Sequence, residues 1–258
     1  MPGFLFEDVI FGPVRSRRLG LSLGINLLPL HRKYCSFNCI YCECGWTKLK
    51  EDHPPEFPTR VEVATYLEER LRQLSEQQYL PGSLTYAGNG EPTIHPEFAV
   101  IVEDTIRLRD LYVPDSQVSV LSNASMTGDP AVFDALLKLD LNIQKLDAGY
   151  AQMFNLINNP VMPVNFDMLI ENLARFRGRV IIQSMFLRGV YRNKPVDNTT
   201  APEVERWLEH LAFIKPSMVM IYSIARATPA QQLERIGDEE LGRIAEQVRA
   251  LGINAEIY

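Results

Sequence analysis

Six times along this chain a short apolar run is followed by a segment whose apolar residues recur with helical spacing. That alternation limits the fold more than any other feature. The apolar runs fall at residues 23–28, 84–87, 117–121, 143–147, 180–185 and 218–222, and the helical patterns at 60–74, 97–109, 130–139, 165–177, 202–214 and 238–251. The first helix is the best marked: Thr59 and Glu62 have the spacing of a capping box, and Val63, Leu67, Leu71 and Leu74 line one face. Strand-then-helix units in series demand a parallel sheet with right-handed crossovers. The expected fold is α/β, a six-stranded parallel partial (βα)6 barrel, in a single domain over residues 1–258. In such a sheet ligands gather beyond the carboxyl ends of the strands, so the loops after the strands are where chemistry is sought.

A hydrophobic content of 46% over 258 residues supplies a sizeable core, and with 22% charged residues it excludes a disordered chain. No apolar run approaches the roughly 18 residues of a membrane span. The N-terminal segment MPGFLFEDVIFGPVRSRR lacks the pattern of a secretory signal, and the expected compartment is the cytoplasm. The net charge of −6 argues against a dedicated nucleic-acid binder. Residues 15–50 nevertheless hold seven basic residues (Arg15, Arg17, Arg18, Arg32, Lys33, Lys48 and Lys50) and one acid, Glu43. They form either a local positive patch or a set of solvated loop charges.

All four cysteines lie in the run KYCSFNCIYCECGW, as Cys35, Cys39, Cys42 and Cys44. A disulfide framework would spread its cysteines to close long loops, so clustered thiols point to metal. Cys35, Cys39 and Cys42 follow the first strand at a spacing that lets three thiolates each reach a different iron of a 4Fe-4S cluster, leaving one iron open. A zinc site using Cys44 as well is cramped for a tetrahedron. After the second strand comes YAGNGEPT, where Gly88 and Gly90 allow close backbone approach to a ligand and Glu91 can accept hydrogen bonds from an amine. Lys145 and Asp147 end the fourth strand on one face, as a substrate-facing pair or a structural ion pair. Gln183 sits among apolar residues of the fifth strand and needs a partner, and Arg226 follows the sixth, suited to a carboxylate or phosphate. His31, His53, His95 and His210 form no ligand spacing.

The C-x-x-x-C-x-x-C loop after a first strand, with Tyr41 before its last cysteine, resembles that of radical S-adenosylmethionine enzymes. The resemblance implies a 4Fe-4S cluster on Cys35, Cys39 and Cys42, and S-adenosyl-L-methionine chelated to the open iron. It also implies reductive cleavage to a 5′-deoxyadenosyl radical that abstracts hydrogen from substrate, with electrons from an external donor such as flavodoxin or ferredoxin. The Gly88–Glu91 segment is similar to the one that contacts the methionine amine in that superfamily. Tyr41, Ser122, Asn123 and Gln183 are implied further cofactor contacts, although Ser122 and Asn123 also suit a turn. Lys145, Asp147 and Arg226 remain the candidate catalytic residues.

The segments FGPVRSRRLGLSLGINLLP, CSFNCIYCECGWT, GNGEPTIHPEF and YSIARATP go further and resemble the iron-sulfur oxidoreductases related to wyosine-base biosynthesis. That would make tRNA a substrate, its phosphates facing Arg15, Arg17 and Arg18. Only Cys44 is spare, however, so no cysteine-held second cluster is expected, and the six units leave no room for a flavodoxin-like or added RNA-binding domain. Two alternatives stay open: a redox sensor or scaffold that binds metal without radical chemistry, and an activating enzyme that makes a glycyl radical on a partner protein.

Overall fold

The computed structural model describes residues 3–47 and 54–258, so Lys48, Lys50 and His53 lie outside the described residues. A first strand, β1 (Ile10–Ser16), turns back antiparallel onto β2 (Gly20–Ile25). From β2 the sheet continues in parallel through β3 (Ser83–Tyr86), β4 (Gln117–Ser122), β5 (Leu141–Lys145), β6 (Ile181–Tyr191) and β8 (Met218–Ser223), each beside the next. These are the six expected strands, in sequence order. Beyond them β10 (Asn254–Ile257) adds a seventh parallel strand against β8. The outer half of β6 also takes two antiparallel partners, β7 (Lys194–Asp197) and β9 (Leu233–Arg235). These additions escape a pattern reading because they are short and largely open to solvent, with exposed Glu256 and Ile257 in β10 and exposed Glu234 and Arg235 in β9.

The crossovers are α1 (Arg60–Glu76), α2 (Phe98–Tyr112), α3 (Pro130–Leu136), α5 (Phe166–Ala174), α6 (Ala201–Ile214) and α7 (Asp238–Ala250), with a further short helix, α4 (Ala151–Ile157), not foreseen from the sequence. The Thr59–Glu62 capping box is present in full, with each side chain bonded to the other's backbone N–H. The main core fills between these helices and one face of the sheet. Leu23, Leu84, Val118, Ile182 and Val219 alternate onto that face and meet Leu67, Leu71, Val102, Leu173 and Val248, all fully or almost fully buried.

The opposite face closes on itself. Leu19, in the β1–β2 turn, packs with Ile143, Ile181 and Met220, and Arg18 lies 4.9 Å from the centroid of the Tyr222 ring on β8. A turn beside the first strands can reach β8 only if the sheet curls round to meet it. The fold is a partial barrel whose floor is stopped by the hairpin turn. Small hydroxyls line part of the interior: Ser22 bonds Thr85 at 2.7 Å, and Ser119 bonds both Ser83 and Thr85 at 2.8 Å.

Candidate active site

The cysteine loop is laced to three other parts of the chain. Tyr34 N–H donates to Asn89 O at 2.8 Å and Glu91 N–H donates to Tyr34 O at 3.2 Å, forming a parallel bridge between Tyr34 and Gly90. On the other side, Ile40 N–H donates to Ile157 O and Val161 N–H to Ser36 O, fastening the loop to the segment after α4. Ala230 N–H, beyond β8, donates to Ile40 O. The glycines of the second loop are required by this lacing. A Cβ on Gly90 (φ +145°) would stand 1.9 Å from Tyr34 O, and one on Gly88 (φ +148°) 2.4 Å from Asn26 Oδ1. Asn89 between them is fully buried and ties both loops to the N-terminal segment through Phe6, Pro29 and Leu30.

Each thiol has its own donor. Cys35 Sγ accepts from Phe37 N–H at 3.4 Å and from Asn123 Nδ2 at 3.5 Å, and Cys39 Sγ accepts from Asn158 Nδ2 at 3.6 Å. Cys42 lies beside the Cys44 thiol and the Lys33 ammonium, and these bring its pKa down to about 5 against the opposing effect of burial. Burial pushes Cys35 up and takes Cys39 to about 11, while the neighbouring Cys42, reinforced by burial, raises Cys44, whose thiol donates to Gly88 O at 3.4 Å. Lys33 is 5% exposed, and although burial opposes its charge, attraction to Cys42, Cys35 and Cys39 raises its pKa. Among the described residues, no group of three or more His, Cys, Asp or Glu side chains is arranged to hold a metal ion. A multi-iron cluster asks for something different, one cysteine per iron, and loop thiols that already face N–H donors and a cation suit the anionic sulfurs of such a cluster.

The remaining candidate residues fall into two groups. Glu91 turns into the protein: its Oε1 accepts from the Thr93 N–H and hydroxyl, its Oε2 from Asn123 N–H at 2.5 Å, and burial raises its pKa. Asn123 in turn donates to Ser36 Oγ at 2.9 Å, and Ser122 Oγ accepts from Ala124 N–H. Glu91 and Asn123 therefore join the second and third strand ends to the cysteine loop through their own hydrogen bonds, and Ser122 shapes the turn between them.

The second group stands inside the barrel. Tyr41 donates to Asp147, whose carboxylate also accepts from Asn158 Nδ2 at 2.7 Å and Met185 N–H at 2.8 Å. Burial, with the Asp147 charge beside it, raises the Tyr41 pKa. Lys145 Nζ donates to Tyr222 Oη at 2.5 Å and lies 3.6 Å from Asp147. Burial opposes its charge, but Asp147 and Tyr222 hold its pKa above the ordinary value. Gln183 lies next to Lys145 in register, and its buried Nε2 has no partner among the described residues. Arg226 is apart from this group, three-quarters exposed and paired with Glu43 of the cysteine loop.

The sequence did not single out Asn89, Asn158 or Tyr222. Asparagine in NNP and tyrosine in MIYS carry no spacing signal, and only the folded contacts reveal them. The basic stretch also divides. Arg15 and Arg17 are exposed on the hairpin, Arg18 turns toward Tyr222, and Lys33 is buried at the thiols, so these four do not make one surface. His95 and His210 are buried structural residues, bonded through Nε2 to Pro58 O and Gly149 O.

No family profile matches the chain. It is 31% identical over 232 residues to a GTPase Obg of Brachyspira hyodysenteriae, covering 90% of this chain and 32% of that protein. It is 33% identical over 186 residues to a UPF0026 protein of Methanocaldococcus jannaschii, covering 70% of this chain and 55% of the relative. The chain thus spans about a third to just over half of these two proteins. A UPF0026 protein of Synechocystis sp. is 30% identical over 231 residues, covering 86% of this chain and 78% of the relative. Among solved structures, a radical SAM methyltransferase from Sphaerobacter thermophilus superposes with a TM-score of 0.66 at 17% identity, over 92% of this chain and 65% of that one. The structure of TYW1 with a lysine-pyruvate adduct bound gives 0.63 at 14% identity, over 90% and 75%. These likenesses show the fold, the partial barrel of radical S-adenosylmethionine enzymes, and the sequence relatives show that the chain belongs to the UPF0026 family.

Proposed function

We propose that this protein is a radical S-adenosylmethionine iron-sulfur oxidoreductase of the cytoplasm, acting as a single domain. Its cluster would be held by Cys35, Cys39 and Cys42, and its electrons would come from an external flavodoxin or ferredoxin. The observation that carries the reading is the cysteine loop itself, bridged to the Gly88–Glu91 loop at Tyr34 and Gly90, with an N–H donor or cation at every one of the three thiols. When bound, the cluster and S-adenosyl-L-methionine together supply one-electron cleavage of the cofactor and hydrogen abstraction from a substrate.

The chain's own residues do the rest. Lys33 balances the charge of the thiolates from its buried position. Asn123 and Asn158 orient Cys35 and Cys39 through their amide hydrogens. Gly88 and Gly90 bring backbone close to the loop, and Tyr41, Ser122, Asn123 and the backbone around Glu91 line the side from which the cofactor is received. The unpartnered Nε2 of Gln183 supports a ligand inside the barrel, since a buried amide is ordinarily paired. Asp147 and Asn158 fix the Tyr41 hydroxyl beside Cys39. Exposed Arg15 and Arg17 offer phosphate contacts that keep tRNA among the substrates to be tested.

The test is anaerobic reconstitution with iron and sulfide, followed by dithionite and S-adenosylmethionine, with 5′-deoxyadenosine read by chromatography. Wild type is expected to form it, and Cys39→Ala to form at most background. Iron uptake with no cleavage, even with flavodoxin as donor, overturns the reading in favour of a metal-binding sensor.

A further inference from the structure

Around the last residue of β5 and the positions of β6 and β8 that face it, the barrel interior presents several hydrogen-bond donors. Lys145 and Gln183 are neighbours in the β5–β6 register, so the pleat puts both side chains on the interior face. Tyr222 on β8 is opposite Met185, two residues on from Gln183, and shares that face. Because Tyr222 Oη accepts from the Lys145 ammonium at 2.5 Å, the phenol keeps its own proton to donate, and no described residue takes it. Gln183 is 5% exposed, and its Nε2 has no partner among the described residues. From the floor of the barrel Arg18 brings its guanidinium to 4.9 Å from the Tyr222 ring centroid, with no ion pair among the described residues. The nearby carboxylate, Asp147, lies 3.6 Å from Lys145 and balances part of its charge, but is already bonded at both oxygens by Tyr41, Asn158 and Met185, which leaves Arg18 as the cation without an ion pair among the described residues.

Four donors from four elements, two of them cationic and one an amide that also carries an acceptor oxygen, describe a receptor for negative charge. We propose that Arg18, Lys145, Gln183 and Tyr222 bind an anionic group, a carboxylate or phosphate, carried by the substrate of the site described above. The proposal rests on the radical S-adenosylmethionine reading for what that site does, and it moves Gln183 from the cofactor to the substrate. It also moves anion recognition away from Arg226, whose charge is met by Glu43 on the surface. The cofactor's own carboxylate is the rival source of the same chemistry.

The full chain as isolated, without added S-adenosylmethionine, is followed by thermal unfolding against inorganic phosphate and acetate, with chloride at matched ionic strength as reference. In wild type the midpoint rises saturably with phosphate or acetate over chloride, because a ligand that binds only the folded state stabilises it. Gln183→Leu replaces an unpaired amide with an apolar group of similar size, so its midpoint without anion is unchanged or higher while its apparent anion affinity falls at least tenfold. Arg18→Gln, on a half-buried turn, weakens the anion effect in the same direction. No anion-specific rise in wild type, or an undiminished rise in both variants, overturns the site.

The second arm measures S-adenosylmethionine affinity on cluster-loaded protein with and without saturating phosphate. An unchanged affinity assigns the anion to the substrate, and a competitive loss of tenfold or more assigns it to the cofactor and overturns the proposal. The first arm requires neither cluster nor cleavage, so anion binding in a protein that never forms 5′-deoxyadenosine counts against the proposed function alone.

Discussion

His95 shows how a single buried side chain can commit to one protonation state. Its Nδ1 accepts from Glu97 N–H at 3.1 Å, so its Nε2 must be the nitrogen that donates to Pro58 O at 2.8 Å. A second proton would have to sit on Nδ1 and would break the first bond. Burial pushes its pKa below the ordinary 6.5, and His210, bonded to Gly149 O, is pushed down for the same reason. With a folded pKa below the unfolded one, the unfolded chain binds more protons in acid. The stability these histidines contribute is therefore present above pH about 6.5 and lost as pH falls through the lowered folded values. Urea unfolding at pH 7, 6 and 5 is expected to give a falling free energy, with a shallower fall in His95→Gln and the remainder carried by His210. An unchanged slope in the variant would place the proton uptake elsewhere.

Two glycines illustrate how differently the elements depend on backbone. Gly90 carries the bridge between two loops, and a methyl group there would stand 1.9 Å from Tyr34 O at a φ of +145°. Gly90→Ala must therefore separate the cysteine loop from its neighbour, and iron and sulfide uptake on reconstitution is expected to drop to near background. Retained uptake would show that the bridge is not needed to shape the loop. Gly242 lies inside α7 with nothing within 4 Å of a built Cβ. Gly242→Ala removes only helix-disfavouring entropy, so it should stabilise by about 1 kcal/mol and raise the melting temperature by ~2–4 °C in calorimetry. The same substitution breaks one element and strengthens another because one glycine sits at a crossing of chains and the other has open space where its Cβ would stand.

At the scale of the whole molecule the sheet has a middle and ends. β3, β4 and β5 each have parallel neighbours on both sides and alternate between a helix-covered face and a closed interior. β10 has one partner and three exposed residues of four, and β7 and β9 lean only on the outer half of β6. Amide hydrogen exchange is expected to be slowest in β3, β4 and β5 and orders of magnitude faster in β7, β9 and β10. Equal protection throughout would mean that the outer strands open only with the whole sheet. No helix among the described residues is long and apolar enough to cross a membrane.

The succession of parallel strands and helices was legible in the residues because burial on a pleated or helical surface leaves a period in the chain, and Val63, Leu67 and Leu71 or Leu23 and Ile25 carry that period openly. The cysteine loop was legible for a related reason: the clustering is local, three thiols within eight residues. The companions of those thiols were not. Asn158 reaches Cys39 across 119 positions of sequence, and Arg18 meets Tyr222 only because the sheet curls. Glu91 looked like a ligand-facing acid from its motif, yet its carboxylate is turned onto Thr93 and Asn123. Local periodicity and local spacing are written into a sequence one element at a time, whereas the partner of a buried polar group depends on which strands become neighbours. The chain by itself determined the succession of strands and helices that becomes the barrel, and it gathered the cysteines into one loop. The closing of that barrel on its own hairpin decided which polar groups were satisfied, and which, like Gln183, were left facing inward without a partner.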